Sequence, residues 1–249
     1  MKKKIANLSS AVVLLFLFLI CCSFGKKETP HILVFSKTSG WRHLSIDAGK
    51  TALIKLGNEN GYIVDTTENA DFFTEASLKK YSAVIFLNTT GDVLNDNQQA
   101  AFKNYIQSGG GFVGVHAATD TEHDWPWYGK LVGAYFLNHP KIQQATLNVL
   151  DTKHVSTRHL PKQWKHTDEW YNFKDISTDI KVLISIDEKS YEGGKNGYHP
   201  IAWYHEFDGG RAFYTELGHT DECYTDQLFL RHLLGGIKYA IGKHVKKKK

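Results

Sequence analysis

Cysteine is scarce in this chain: three residues in 249, of which two are adjacent at positions 21 and 22. Only Cys223 lies in the body of the chain, so no disulfide framework can form there. The core must therefore be stabilised by packing alone. An inert, partly buried thiol is a more common role for such a residue than a reactive one.

A strong excess of either charge is also missing. The formal charge of +4 depends on the lysines at 2–4 and 246–249, and without them the remaining chain carries −3. A slightly acidic body with a basic tail is not the footprint of a nucleic-acid-binding protein. The tail, residues 243–249, is expected to be a solvated end; a weak contact with anionic lipid is the alternative.

No hydrophobic run is long enough to span a bilayer as an ordinary helix. Three lysines precede an apolar run at 11–22, which predicts a targeting segment over residues 1–22 and a polar linker over 23–30. The end of the run, Leu19-Ile20-Cys21-Cys22, resembles a bacterial lipoprotein signal. The resemblance implies lipidation of Cys22 and a protein anchored in the bacterial cell envelope, periplasmic or on the outer membrane. An ordinary secretory signal or an uncleaved anchor remains the alternative.

A dinucleotide-binding fingerprint is absent as well, because the glycines at 109–111 precede a predicted strand instead of joining a strand to a helix. The stretch GGGFVGVHAATD, residues 109–120, predicts a turn, a short buried strand and a sharp bend that carries His116. Ligands bind at the carboxyl ends of strands in open α/β sheets. His116 and Asp120 are thus candidate functional residues, although they could also simply cap the strand and the following helix.

Strands and helices alternate over the first half of the chain, which predicts a doubly wound, mostly parallel sheet. The predicted strands cover 31–36, 62–67, 82–88, the stretch before His116, 141–151, 181–187, 199–207 and 211–217, and the main helices cover 45–56, 95–107 and 225–241. Residues 152–179 are predicted to be a long functional loop. A hairpin turn is predicted at 208–210.

Four loops follow predicted strands, and parallel strands would bring them to one edge of the sheet. They supply or adjoin His43, Asp92, His116, Asp120, His219, Asp221, Glu222, Trp41, Trp125 and Trp127. Histidines among carboxylates can act as general acids and bases or as metal ligands. Tryptophans can stack on sugar rings.

Several separated motifs resemble the ThuA-like family, named for trehalose utilisation. They are HILVFSKTSGWRHLSI (31–46), GGGFVGVHAATD, NHP (138–140), DEWYNF (168–173), HPIAWYHEFDGGRAFYTELGH (199–219) and the terminal helix. The resemblance covers residues 31–242 and implies a flavodoxin-like fold of the class I glutamine amidotransferase-like type, a three-layer sandwich. At the elbow where amidotransferases carry a cysteine nucleophile, this chain has His116, so the location of the site carries over and glutaminase activity does not. His219 and Glu222 resemble the late histidine and glutamate of amidotransferases.

The family resemblance implies carbohydrate catabolism, often beside sugar oxidoreductases that make 3-keto-glycosides. A ketone at C3 acidifies the proton at C2, so a general base could start an elimination or isomerisation. We predict that His116 or His219 is this base, that Asp120 and Glu222 orient the imidazoles, and that His43 polarises the ketone directly or through a divalent metal. Glu169 is expected to complete the site. Predicted substrate contacts are Trp41, Asp92, Trp125, Trp127 and His139.

Three other functions are compatible with the sequence. The first is a glycan-binding surface lipoprotein without catalytic activity. The second is a metal-dependent hydrolase of ordinary glycosides or esters. The third, nucleotide binding, is disfavoured by the position of the glycines.

Overall fold

A computed structural model describes residues 29–242 of the chain. The predictions for the signal segment, the lipidated Cys22 and the basic tail lie outside the described residues. None of the helices in the described part combines the length and apolar character that crossing a bilayer requires.

Eleven strands and five α-helices form the described part of the chain. The strands are β1 (His31–Phe35), β2 (Ile63–Thr67), β3 (Ala83–Leu87), β4 (Gly111–Val115), β5 (Tyr135–Asn138), β6 (Gln143–Val149), β7 (Gln163–Asp168), β8 (Asn172–Lys174), β9 (Lys181–Ile186), β10 (His199–Phe207) and β11 (Gly210–Thr215). The helices are α1 (Ile46–Asn60), α2 (Glu75–Leu78), α3 (Asp96–Gln107), α4 (Pro126–Val132) and α5 (Gln227–Ile241).

Nine strands form one sheet in the order β2-β1-β3-β4-β11-β10-β9-β6-β7. The first five are parallel neighbours, which we call the parallel half. The remaining four pair antiparallel and form the antiparallel half. Strands β5 and β8 make a separate two-stranded sheet. The predicted α/β class with a mostly parallel core is confirmed.

The sheet is covered on both faces, as expected for strands whose residues are apolar in succession. Val113 and Val115 of β4 pack in a core with Leu53 of α1 and Leu233 of α5. Phe112, which precedes Val113 in the sequence, points to the other face. There it lies in a second core together with side chains of α2, α3 and α4. These two cores make the three-layer sandwich that the family resemblance implied.

The predicted loop over residues 152–179 is wrong, because it contains strands β7 and β8. Residues of β7 alternate strictly between exposed and buried. The buried positions are Trp164, His166 and Asp168, so two of the three inward side chains are polar. A strand with this composition lacks the alternation of apolar and polar residues by which strands are recognised in a sequence.

Helix α5 carries a histidine in the core. His232 is fully buried, contacts the ring of Phe213, and its Nδ1 donates to the backbone carbonyl of Ser156 at 2.9 Å. Burial lowers the pKa of His232 to about 3. The side chain therefore stays neutral in the folded protein over the whole physiological pH range.

We expect this histidine to make stability depend on pH. Below its ordinary pKa of 6.5 the unfolded chain binds a proton that the folded protein does not, so stability falls as the pH falls. The contribution at pH 5 is about 2 kcal/mol relative to pH 8. Urea unfolding of His232→Asn, whose amide can still donate to Ser156, should show a smaller loss between pH 8 and pH 5 than the original protein.

The control for the void made by that substitution is Leu233→Ala in the same helix. It removes a fully buried side chain that does not titrate. It should lower stability by a similar amount at both pH values. A full pH dependence retained in His232→Asn would show that other groups carry it.

Candidate active site

Three histidines meet at the carboxyl edge of the parallel half. His43 lies in the loop after β1, His116 directly follows β4, and His219 lies in the loop after β11. The ring centroids are 4.9 Å apart for His43 and His116, and 5.1 Å apart for each of the other two pairs. The parallel strand order brings together side chains that are far apart in the chain, as the sequence analysis predicted.

His116 occupies a special backbone position. Its φ is 49°, in the left-handed region that residues other than glycine seldom adopt. It is fully buried, and its Nδ1 lies 2.6 Å from the backbone carbonyl oxygen of Glu216. A carbonyl only accepts, so Nδ1 carries the hydrogen and a neutral ring has its lone pair on Nε2. That Nε2 lies 3.1 Å from Nδ1 of His219.

Glu169 joins the imidazoles. It directly follows β7, and its Oε2 lies 3.0 Å from Nδ1 of His219 and 3.6 Å from Nε2 of His116. Its Oε1 lies 2.9 Å from Nδ1 of His139. Burial raises the pKa of Glu169, but contacts with His116 and His219 lower it by more, and the net pKa lies well below the ordinary value. The carboxylate is therefore ionised at neutral pH.

His43 and His219, which both line the cavity, differ in their affinity for protons. Burial lowers the pKa of His219, whereas the hydrogen bond with Glu169 raises it, and with the nearby carboxylate charges the net shift is upward. Burial, together with the neighbouring His116 and His219, lowers the pKa of His43 to about 3. His219 thus binds a proton more readily than a free imidazole does, while His43 stays neutral at physiological pH.

Asp168 fixes the loop that carries His219. Its fully buried carboxylate accepts from the backbone N–H of Gly218 at 2.8 Å and of His219 at 3.2 Å. The thiol of Cys223 donates to the same carboxylate at 3.1 Å. Burial raises the pKa of this thiol, so Cys223 is a buried, protonated cysteine.

His43, Glu169 and His219 lie at the floor of an open cavity of about 640 Å³, a volume within the range of small-molecule sites. Of the predicted site residues, those that line it are Trp41, His43, Asp120, His139, Glu169, His219 and Glu222, while His116 lies buried beneath the floor. Phe136 and Tyr171 also line the cavity, and sequence reasoning missed them. Both come from the region after Asp120, where the pattern of the sequence is irregular.

The predicted orienting roles of Asp120 and Glu222 are not supported by the geometry. Asp120 pairs with His123 at 2.9 Å, and Glu222 lines the cavity wall. The carboxylate that contacts the imidazoles comes from Glu169. Closeness in the sequence misled the prediction, because the orienting group belongs to the antiparallel half of the sheet.

Three predicted substrate contacts lie outside the cavity lining. Trp125 and Trp127 stack on each other at 4.9 Å, and Nε1 of Trp127 donates at 2.8 Å to Asp208 in the turn before β11. This turn lies at the amino end of β11, opposite the edge that carries the histidines. Asp92 is exposed, and its carbonyl accepts from the hydroxyl of Ser39.

The histidine cluster supports two kinds of chemistry. Imidazoles beside an ionised carboxylate can transfer protons. The same four side chains, His43, His116, Glu169 and His219, each offer a ligand atom, and these atoms lie within 4.8 Å of one another. They could hold a divalent cation.

We expect Glu169→Gln to lower the pKa of His219 in metal-free protein. The substitution removes the charge that raises this pKa and leaves the burial that lowers it. An NMR titration of the histidine rings measures the change. The control is Glu222→Gln, which removes a cavity carboxylate that makes no described hydrogen bond to His219. It should leave the pKa of His219 unchanged. An equal change in both variants would contradict the role of Glu169.

Comparisons with known proteins agree with this fold. A model of the family described as trehalose utilisation matches residues 31–240. No curated protein matches the chain significantly. A ThuA-like protein from Bacteroides uniformis is 27% identical, with a TM-score of 0.75 over 87% of this chain and 94% of that one. A second ThuA-like protein, from Parabacteroides merdae, is 20% identical, with a TM-score of 0.74 over 89% and 93% of the two chains.

A more distant likeness extends to the amidotransferase fold. A protein from Thermoplasma acidophilum described as a GMP synthase subunit is 11% identical, with a TM-score of 0.52 over 84% of this chain and 94% of that one. At this identity the likeness concerns the fold alone. The family model spans nearly all of the described residues, and the chain therefore belongs to the trehalose-utilisation (ThuA) family.

Proposed function

We propose that this protein is an enzyme of carbohydrate catabolism that processes a trehalose-related glycoside, or a glycoside oxidised to a ketone at C3, by proton transfer in the histidine pocket. The observation that carries the proposal is the contact of one buried carboxylate, Glu169, with three imidazoles at the floor of an open cavity. Membership of the trehalose-utilisation family supports a sugar as the ligand.

His219 is the best candidate for the base. Its Nδ1 is bonded to Glu169, so a neutral ring has its lone pair on Nε2, and the residue lines the cavity. His116 lies beneath it and is held by the Glu216 carbonyl. In a 3-keto-glycoside the base would remove the acidic proton at C2, and His43 would polarise the ketone oxygen. The electron pair of the C2–H bond would form a C1=C2 double bond as the C1–O bond breaks. The departing alkoxide would take up a proton from the protonated His219 or from water, which completes an elimination.

The rest of the site supports positioning roles. Asp168 would hold the backbone of His219 in place. His139 shares the Glu169 carboxylate, and Trp41, 72% exposed at the cavity mouth, offers a surface on which a sugar ring can stack. An oxidoreductase that makes the ketone would then be a partner in the same pathway.

Glycan binding without turnover is the second candidate, and the exposed Trp41 at the cavity mouth favours it. Trp125 and Trp127, which the same idea relied on, lie outside the cavity lining. Calorimetry with oligosaccharides, followed by chemical analysis of the recovered ligand, separates the two functions. Recovery of unchanged sugar across a panel that includes 3-keto-glycosides would favour binding alone.

The test of catalysis is His219→Asn. The asparagine amide can still donate to Glu169, but the Nε2 lone pair is gone. We expect turnover of 3-keto-trehalose or a related 3-keto-glycoside to fall by about 10²- to 10⁴-fold. His116→Gln should also lose activity because it disturbs the group behind His219.

The control is His159→Asn, at a histidine that bonds the Leu228 carbonyl and lies outside the cavity lining. It should keep normal turnover. Circular dichroism checks that each variant is folded. Undiminished turnover in folded His219→Asn and His116→Gln would rule out the proposed mechanism.

We also propose that the protein is anchored in the cell envelope through a lipid on Cys22, on the basis of the lipoprotein-like signal. Metabolic labelling with an alkyne fatty acid should mark the original protein and Cys21→Ser. It should not mark Cys22→Ser. Labelling that survives in Cys22→Ser would place the lipid on another residue, and no labelling of the original protein would contradict a lipid anchor.

A further inference from the structure

We propose that the histidine cluster binds one divalent first-row transition-metal cation, such as Zn²⁺, with His43, His116, Glu169 and His219 as its ligands. Imidazole nitrogens and a carboxylate are donors that suit such cations. The inference concerns the same pocket as the proposed function. Its test needs no substrate.

The orientation of His116 is the first argument. Its Nδ1 donates to the Glu216 carbonyl at 2.6 Å, which leaves the lone pair on Nε2 at the cluster. Histidines that ligate metals commonly have this arrangement, in which the second ring nitrogen is fixed by a backbone carbonyl or a carboxylate. The left-handed backbone at His116 holds the ring in this place.

An unpartnered nitrogen is the second argument. His43 is 4% exposed, and its Nδ1 is buried without a hydrogen-bond partner among the described residues. The ring lies edge-on to both His116 and His219. Buried polar atoms normally have partners, so a buried imidazole within a donor cluster points to a ligand that satisfies it.

Distances and charge are the third argument. Ligand atoms about 2.0–2.2 Å from one cation lie within about 4.4 Å of each other. Three of the present separations already fit: 3.0 Å from Glu169 to His219, 3.1 Å from His116 to His219 and 3.6 Å from Glu169 to His116. All four ligand atoms lie within 4.8 Å of one another. Small side-chain rotations would bring all four ligand atoms within reach of one cation. Glu169 is the one carboxylate among three imidazoles in this donor set, so it is the ligand that can bring negative charge to a cation.

A second buried group, His166, Asp168 and Cys223, is a weaker candidate. The Asp168 carboxylate already accepts from three backbone N–H groups, those of Glu169, Gly218 and His219, and from the Cys223 thiol. Its oxygens therefore hold the His219 loop. This group provides a control for the location of the bound cation.

A cation in the first cluster would change which group takes up the proton. His219 would be a ligand through Nδ1, and water bound to the cation could act as the base in place of a free imidazole. The cation could also polarise the ketone oxygen. The open cavity beside the cluster leaves room for water or substrate as a further ligand.

The experiment titrates the full-length protein, stripped with a chelator, with Co²⁺ while visible absorption is recorded, followed by competition with Zn²⁺ in a calorimeter. We expect one equivalent to bind and to give the ligand-field bands of a nitrogen- and oxygen-ligated site. Glu169→Gln and His43→Asn should each weaken affinity by at least about 10-fold. Cys223→Ser, which keeps a donor toward Asp168, should bind like the original protein.

The outcomes separate this proposal from the proposed function. The metal proposal is overturned if the folded original protein binds neither Co²⁺ nor Zn²⁺. It is also overturned if folded Glu169→Gln and His43→Asn bind the cation as tightly as the original protein does. A loss of binding in Cys223→Ser alone would assign the cation to the second group and also overturn it. Turnover by stripped protein that binds no cation would leave the proposed function intact. Cation binding without turnover of any sugar tested would support the metal site and contradict the proposed catalytic function.

Discussion

The site depends on a single contact, that of the buried Glu169 carboxylate with the imidazoles of His116 and His219. A buried charge is costly unless its surroundings compensate it, so the carboxylate and the rings stabilise each other's positions. The contact also sets the tautomer of His219 and opposes the effect of burial on its pKa. Without it, burial alone would act on the pKa of His219, and no carboxylate would fix the tautomer of that ring.

This contact joins the two halves of the sheet. The histidines follow parallel strands, whereas Asp168 and Glu169 stand at the end of β7, the edge strand of the antiparallel half. Three strands separate β7 from β11 in the sheet, yet Asp168 bonds the backbone after β11. The antiparallel half must therefore curl back over the edge that carries the histidines. Adjacent residues at the end of β7 then have different partners: Asp168 bonds the backbone of the His219 loop, and Glu169 contacts the rings of His116 and His219.

The sequence predicted the parallel half well because a simple rule governs it. Each buried apolar strand ends in a loop, and parallel strands place these loops together, which was enough to group His43, His116 and His219. The antiparallel half follows no comparable rule. Strand β7 was missed because His166 and Asp168 occupy its buried face. Trp125 and Trp127 were misplaced because Trp127 bonds Asp208 at the amino end of β11 and Trp125 stacks on Trp127. Pairing across the sheet, which brings Glu169 to His219, depends on register and curvature that local patterns do not contain.

The elbow after β4 shows how one scaffold can support different chemistry. A strained, left-handed residue at the end of a central strand projects its side chain at the place where the loops converge. A thiol in that position can attack a substrate and form a covalent intermediate. An imidazole pinned through Nδ1 to the Glu216 carbonyl presents only a lone pair, and it lies beneath other side chains. In this protein the strained elbow carries an imidazole in place of a thiol and holds a nitrogen atom within the histidine cluster, while His219 of the neighbouring loop lines the cavity.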